Sequence, residues 1–247
     1  DSPIPFGTSL KNISFAVRRG EILGIAGVAG NGQDELLLAL SGELRSSPEM
    51  VKTFDTPVGA LGPNDRRKLG FVAAPEDRLG HAAAPDMSLV ENALLSGDVR
   101  MELTKNGFID WAKTRAWAER IVEQYDVRTP GTWVAARALS GGNLQKFLMG
   151  RELSQSPDII VINQPTWGVD ASAAAFIRQE ILDRAEEGAA VVVISQDLDD
   201  LLEVSDRFAA MNEGRMTDPR PTEGLTVDEI GMMMGGAHGM EVSHHVA

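Results

Sequence analysis

Residues 139–146 read Leu139-Ser140-Gly141-Gly142-Asn143-Leu144-Gln145-Lys146 and stand where a helix is predicted to begin. Serine and glycine are typical of a helix start, and Leu144, Phe147 and Leu148, spaced i, i+3 and i+4, predict one buried stripe. The turn offers backbone N–H groups and one hydroxyl at the positive end of a helix, an arrangement that suits a phosphate. A lone Ser-Gly-Gly turn is more often only an N-cap, so its neighbours must decide between the two interpretations.

Two apolar runs further along the chain predict buried strands. Residues 159–162 are Ile, Ile, Val and Ile, and a polar segment from Asn163 and Gln164 to Asp170 follows them. Residues 189–194 form a continuous apolar run with β-branched side chains at 191–193, as in a parallel sheet that is covered on both faces, and Gln196 comes shortly after. Each predicted strand is therefore followed at once by polar side chains.

A glycine-rich loop lies upstream of the octapeptide, between an apolar strand at 22–26 and a helix predicted over 36–40. It reads Gly27-Val28-Ala29-Gly30-Asn31-Gly32-Gln33-Asp34. The spacing matches the phosphate-binding P-loop, G-x-x-x-x-G-K-[ST], in which Lys reaches the β- and γ-phosphates and the hydroxyl holds Mg²⁺. Gln33 and Asp34 replace those last two residues.

The two replacements predict weak binding of a triphosphate. Unit charges about 4 Å apart interact by roughly 4 kcal/mol at an effective dielectric near 20, so losing the Lys and gaining the Asp34 carboxylate costs orders of magnitude in affinity. Recruitment of a cation by Asp34 would offset this loss. The alternative, that Asp34 only complements the positive end of its helix, stays open.

The remaining segments complete an α/β pattern. Alternation of Ile13, Phe15 and Val17 predicts a strand over 11–17, and another predicted strand, 70–74, ends at Pro75-Glu76-Asp77-Arg78. The pattern from 88 to about 134 is helical, and a short strand at 207–211 and a helix at 227–234 close the fold. The histidines at 238, 244 and 245 are expected to belong to a disordered end, with a weak metal site as the alternative.

Composition limits the classes of function. A chain of 247 residues can bury the core of one large α/β domain. The net charge of −13 disfavours binding to DNA or RNA, and the absence of cysteine excludes disulfides and thiolate metal sites. No apolar run approaches the roughly 20 residues of a membrane-spanning helix, so the chain is expected to be soluble or peripheral. It begins Asp1-Ser2-Pro3 without a methionine, which favours a part of a longer protein.

Together, the octapeptide, the glycine loop and the Pro165-Thr166 segment resemble the ATP-binding cassette (ABC) transporter ATPases from Leu10 to Gly235. The resemblance implies an α/β P-loop core with an antiparallel β subdomain and an inserted α-helical subdomain. It implies that Glu76 stands where the family has a Gln that senses the γ-phosphate and touches the membrane subunit. Asp170 would lie in the D-loop, at the interface between two cassettes.

This sequence departs from the family pattern where ATP is positioned or activated. The altered positions are Gln33, Asp34, Asn163, Gln164 and Gln196, of which the last three replace the Mg²⁺-orienting Asp, the water-polarising Glu and the switch His. An amide cannot take up a proton at neutral pH, so Gln164 cannot serve as general base. Ser140, Gly141 and Gly142 of the signature are intact. This split resembles the second, degenerate cassette of simple-sugar and nucleoside importers.

We therefore expect a single nucleotide-binding domain over 1–247, with a core at about 1–84 and 147–235, a helical subdomain at about 85–146 and a tail at 236–247. Its nucleotide-binding residues would be Gly27, Gly30, Gly32, Gln33, Asp34, Glu76, Ser140, Gly141, Gly142 and Asp170. The ligands are ATP and Mg²⁺, shared with a partner cassette, and no residue forms a metal site of its own.

The expected partners are an N-terminal cassette of the same subunit, a transmembrane permease and, indirectly, a solute-binding protein, without nucleic acid. This places the chain at the cytoplasmic face of a membrane. The alternative is a non-hydrolytic ABC module that binds partners or senses nucleotide without transport. The acidic charge disfavours an ABC factor that acts on ribosomes or DNA.

Overall fold

The structure is a computed structural model and describes residues 7–236. Its strands are β1 (Ile22–Ala26), β2 (Lys52–Thr53), β3 (Thr56–Pro57), β4 (Phe71–Ala74), β5 (Thr104–Lys105), β6 (Phe108–Ile109), β7 (Ile159–Asn163), β8 (Ala190–Ser195), β9 (Arg207–Asn212), β10 (Arg215–Met216) and β11 (Arg220–Pro221). Its α-helices are α1 (Gln33–Ser41), α2 (Pro63–Lys68), α3 (Leu89–Met101), α4 (Trp111–Gln124), α5 (Gly141–Leu153), α6 (Ala171–Glu186), α7 (Leu198–Val204) and α8 (Val227–Met234). Short 3₁₀ turns lie at Pro48–Met50 and Ala136–Ala138.

A central sheet of five parallel strands, in the order β9-β1-β8-β7-β4, organises the molecule. Its strands are buried on both faces: Ile22 and Val191 pack into one apolar cluster, and Leu23 and Val192 into the other. This explains why these strands are apolar without alternation. The short strands β10 and β11 pair antiparallel with β9. The predicted α/β class is confirmed.

The strand predicted over 11–17 is wrong. The structure assigns no strand to this segment, although Ile13, Phe15 and Val17 are half-buried and pack against the second apolar cluster. Alternating apolar residues show which side chains face the core. They do not require that the backbone forms the hydrogen bonds of a sheet. Here burial alone accounts for the pattern.

The helical pattern predicted from 88 to about 134 is interrupted. Helix α3 ends before Glu102, which adopts a left-handed conformation with φ of 50°, and the hairpin β5–β6 follows before α4 begins. Asn106 and Gly107 at the hairpin turn have φ of 53° and 81°, as a tight turn of this kind needs. The capping box of Ser88 and Glu91 fixes the start of α3.

Helix α5 joins this helical segment to the sheet. It runs without a break through Lys146 and Phe147, contacts α3 and α4 on one side, and contacts β4 and α6 on the other. The predicted boundary between the helical subdomain and the core, at 146/147, therefore falls within a continuous helix. The histidines at 238, 244 and 245 lie outside the described residues.

Candidate nucleotide site and signature turn

The glycine loop connects β1 to α1 as the sequence predicts. Gly30 and Gly32 have φ of 84° and 108°, a region that side chains rarely adopt, so the loop depends on glycine at these places. Gly32 is the N-cap of α1 and offers no side chain to cap the helix. The loop thus has the strand-loop-helix setting of a phosphate-binding P-loop.

The side chain of Gln33 occupies the interior of this loop. Its Oε1 accepts a hydrogen bond of 3.1 Å from the Asn31 N–H, and its Nε2 donates one of 3.0 Å to the Val28 carbonyl. A Cβ placed on Gly27 would overlap Nε2 of Gln33, which shows how closely the amide fits. The side chain is therefore buried where the phosphates of a bound nucleotide would lie.

Asp34 points toward the end of β7, where its Oδ1 accepts a hydrogen bond of 2.9 Å from Nδ2 of Asn163. Burial raises the pKa of Asp34, and the neighbouring charge of Glu35 adds to this effect. Burial also raises the pKa of Glu76, and the charge of Asp34 adds to it. Two carboxylates thus share a partly dehydrated space that a phosphate would have to enter.

The side chain of Gln164 is hydrogen-bonded to residues at the end of β8. Its Oε1 accepts hydrogen bonds from Oγ of Ser195 (3.2 Å) and from the N–H of Gln196 (3.5 Å), and the residue is only 4% exposed. Its backbone has φ of 55°. The predicted residues Gln33, Asn163, Gln164 and Gln196 line one small cavity. The side-chain amides of Gln33, Asn163 and Gln164 each bind a different partner.

The cavity that these residues leave is small, with a volume of about 30 Å³. The side chain of Gln33 fills the loop interior beside it, and its wall carries the carboxylates of Asp34 and Glu76. Within residues 7–236, no group of three or more His, Asp and Glu side chains could hold a metal ion.

The signature turn has a different geometry. Ser140 is the N-cap of α5, and its Oγ accepts hydrogen bonds from the N–H (3.4 Å) and Nδ2 (2.9 Å) of Asn143. Gly141 and Gly142 are the first residues of the helix, whose N–H groups have no acceptor within it. These donors fit a phosphate brought to the helix end.

Asp170, the predicted D-loop residue, is the N-cap of α6. Its Oδ1 accepts hydrogen bonds from Oγ of Ser172 (2.6 Å) and from the N–H of Ala173 (2.9 Å). The hydrogen bond from Ser172 is the main reason that the pKa of Asp170 is lowered. Its carboxylate is therefore ionised and held at the surface by α6.

The P-loop side and the signature side face each other across a cleft of about 700 Å³, whose walls include Asp34, Glu76, Arg78, Gly141 and Trp167. Sequence reasoning missed Arg78 and Gln145, which are hydrogen-bonded to each other. Gln145 lies within the octapeptide and Arg78 within the Pro-Glu-Asp-Arg turn. No sequence pattern around Arg78 or Gln145 predicts a contact between two residues that are 67 positions apart.

Comparisons with known proteins show which family the chain resembles. The ABC transporter family profile matches residues 10–167. The chain is 36% identical over 229 residues to the nucleoside import ATP-binding protein NupA of Lactococcus lactis, covering 93% of this chain and 45% of NupA. It is 39% identical over 231 residues to the glucose import ATP-binding protein TsgD13 of Haloferax volcanii, covering 92% of this chain and 42% of that protein. The chain thus spans less than half the length of these curated relatives.

A solved structure shares the fold. The ATP-binding cassette MJ0796, in a dimeric post-hydrolysis state bound to ADP and Pi, superimposes with a TM-score of 0.72 at 21% identity, covering 87% of this chain and 91% of that one. The predicted ABC-type fold is therefore confirmed. None of the helices within residues 7–236 has the length and apolar character needed to cross a membrane. With the profile matching most of the chain and the glycine loop and signature turn in their expected settings, the chain belongs to the ABC transporter family.

Proposed function

We propose that this chain is the nucleotide-binding half of an ATPase subunit of an importer for a simple sugar or a nucleoside. Its own P-loop site is silent, and its signature turn completes the ATP site of a partner cassette. One contrast supports this most strongly: Gln33 fills the P-loop, while the N–H groups of Gly141 and Gly142 stand open at the start of α5.

The relatives support the solute class. NupA and TsgD13 are named for nucleoside and glucose import, and this chain matches less than half of each. An N-terminal cassette in the same subunit would account for the remaining length. That cassette would hold ATP and Mg²⁺, while Ser140, Gly141 and Gly142 would contact the terminal phosphate and stabilise the charge that develops on transfer to water.

A groove between the helical segment and the sheet suits the permease. It encloses about 340 Å³ and is lined by Glu43, Arg67, His81, Leu95 and Arg151, among others. Leu95, an apolar residue of this lining, is 51% exposed. We propose that a cytoplasmic segment of the permease docks here, beside Glu76, at the inner face of the membrane. A solute-binding protein would act only through the permease.

The proposal is tested in the assembled transporter. Gly142→Asp should abolish ATP hydrolysis and uptake, because it places a carboxylate against the terminal phosphate. Gln164→Ala should leave most activity intact, since it alters only the silent site. A Lys→Ala change in the P-loop of the partner cassette should match Gly142→Asp, because both disable the same site.

Two results would overturn this function. Equal damage by Gln164→Ala and Gly142→Asp would show that the site of this chain takes part in catalysis. Hydrolysis by the isolated chain above a Ser140→Ala control would show that it needs no partner. A reading frame without an intact Gly-Lys-Ser/Thr loop upstream would instead favour the non-hydrolytic module.

A further inference from the structure

Arg78 contacts two segments that are far apart in the sequence. Its Nε donates a hydrogen bond of 2.9 Å to Oε1 of Gln145 in α5, and its Nη2 donates one to the backbone carbonyl of Trp167. The guanidinium is half-buried, and burial lowers its pKa, which the charge of Glu76 opposes. Arg78 thus links the signature helix to the segment between β7 and α6.

Gln145 extends this link. Its side chain is buried, with the residue only 1% exposed, and Nε2 donates hydrogen bonds to the carbonyls of Gln164 (3.2 Å) and Pro165 (2.9 Å). The amide of Gln145 therefore accepts from Arg78 with its oxygen and donates to the segment after β7 with its nitrogen. Both halves of the amide are used, so its orientation is fixed by its partners.

The contacts reach the phosphate-facing turn itself. Nη1 of Arg78 lies 2.8 Å from the place that a Cβ on Gly141 would occupy. On the next residue, a Cβ on Gly142 would come within 3.2 Å of the Gly168 carbonyl. The turn at the start of α5 is thus packed against Arg78 on one side and against the 164–170 segment on the other.

We propose that Arg78 is a positioning residue, which holds the start of α5 and the 164–170 segment in one fixed relation. It acts through Gln145 and Trp167 and touches no reacting atom. A guanidinium suits this task because its planar donors bind two acceptors in different directions, whereas a lysine presents a single compact charge. The relation to a partner's nucleotide rests on the proposed function, but the structural role does not.

The first test uses the chain itself and measures amide hydrogen exchange in peptides covering 139–146 and 164–170. Arg78→Ala should speed exchange in both peptides by about tenfold, as expected for the loss of a charge-assisted hydrogen bond. Arg78→Lys should recover only a small part of this protection. The matched control is Arg120→Ala, an exposed arginine on α4, which should leave both peptides unchanged. Unchanged exchange in Arg78→Ala, or full protection in Arg78→Lys, would overturn the proposal.

The second test separates binding from turnover in the assembled transporter. Arg78→Ala should lower kcat by at least about tenfold and change KM for ATP by less than about threefold, because the partner cassette holds the nucleotide. The double variant Arg78→Ala/Gln145→Ala should lose less kcat than the product of the two single losses, because the two side chains bind each other. Additive losses, or a change confined to KM, would contradict the positioning role.

The two proposals fail separately. If Gly142→Asp abolishes hydrolysis while Arg78→Ala retains it, only the role of Arg78 is wrong. If Gly142→Asp retains hydrolysis, the proposed function is wrong, and the exchange measurement still decides whether Arg78 fixes the two segments.

Discussion

The amide of Gln33 binds the loop from which it arises, with its Oε1 3.1 Å from the backbone nitrogen of Asn31. An anionic oxygen of a bound phosphate would need that same N–H. We expect this competition from within the chain to weaken nucleotide binding, in addition to the missing Lys and the carboxylate of Asp34.

This arrangement predicts an unusual result for Gln33→Ala. The wild-type chain should bind MgATP only in the high micromolar range or weaker. Removing the side chain frees the Asn31 N–H, and because each such hydrogen bond contributes about 1 kcal/mol, affinity for pyrophosphate should rise by about fivefold. Calorimetric titration of both proteins measures the change. Equal or weaker binding by the variant would show that charge alone closes the site.

A side chain at Gly150 should clash where α5 packs against α4. A Cβ there would come within 2.8 Å of Cγ2 of Ile121 and closer still to the ring of Tyr125. Gly150→Ala should therefore lower the free energy of unfolding by about 1–3 kcal/mol, as overpacking does in cores. Gly231→Ala in α8 is the control, since a Cβ there meets no atom within 4 Å. It should raise stability by about 0.5–1 kcal/mol, and urea unfolding that ranks the two variants in the opposite order would contradict this account.

Truncation of Arg66 should cause a large loss of folding stability. It is 1% exposed, and its Nη1 donates to the carbonyls of Ala39 (2.8 Å) and Leu40 near the end of α1, while Nη2 donates to the Gly59 carbonyl (3.2 Å). Arg66→Ala removes a buried side chain together with its hydrogen bonds to three carbonyls, and it should lower the free energy of unfolding by about 2–4 kcal/mol.

Thermal and urea unfolding measure the effect of Arg66→Ala. The control is Lys68→Ala, which removes an exposed ion pair with Asp65 on the same helix and should change stability by less than about 1 kcal/mol. Similar losses from both variants would show that the buried contacts of Arg66 add little.

The contact between His81 and Glu43 should stabilise the fold in a pH-dependent way. Its ring lies 2.6 Å from Oε2 of Glu43, and this hydrogen bond raises the pKa of His81 against the opposing effect of burial. The charges of Glu43, Asp77 and Asp34 add to the increase. The same contact lowers the pKa of Glu43, so the carboxylate stays ionised near neutrality.

A histidine whose pKa is raised by folding stabilises the protein below its unfolded pKa of about 6.5, and this contribution is lost as pH rises through the folded value. His81→Gln should therefore cost up to about 1 kcal/mol at pH 6 and less at pH 9, given that the pair is partly exposed. Urea unfolding at both pH values measures the difference. A cost that is equal at the two values would contradict the charged pair.

Much of the fold followed from residue patterns. The apolar runs at 22–26 and 189–194 predicted β1 and β8 to within one residue, because buried parallel strands need continuous apolar side chains. The Asn106-Gly107 hairpin was missed within a helical pattern, although the dipeptide itself is a turn signal. The candidate site was predicted as a set of residues, but the roles assigned to Gln33 and Asp34 concerned charge alone.

The sequence by itself determined the central strands β1, β7 and β8, the glycine loop before α1 and the Ser-Gly-Gly start of α5, since each depends on local preferences and on which side chains are buried. Only the tertiary structure decided that Arg78 meets Gln145 and Trp167, which follow it by 67 and 89 residues. Such contacts depend on how α5 packs beside β4 and where the chain leaves β7. Those positions are set by the combined packing of the sheet and helices, so no local pattern around Arg78 encodes its partners.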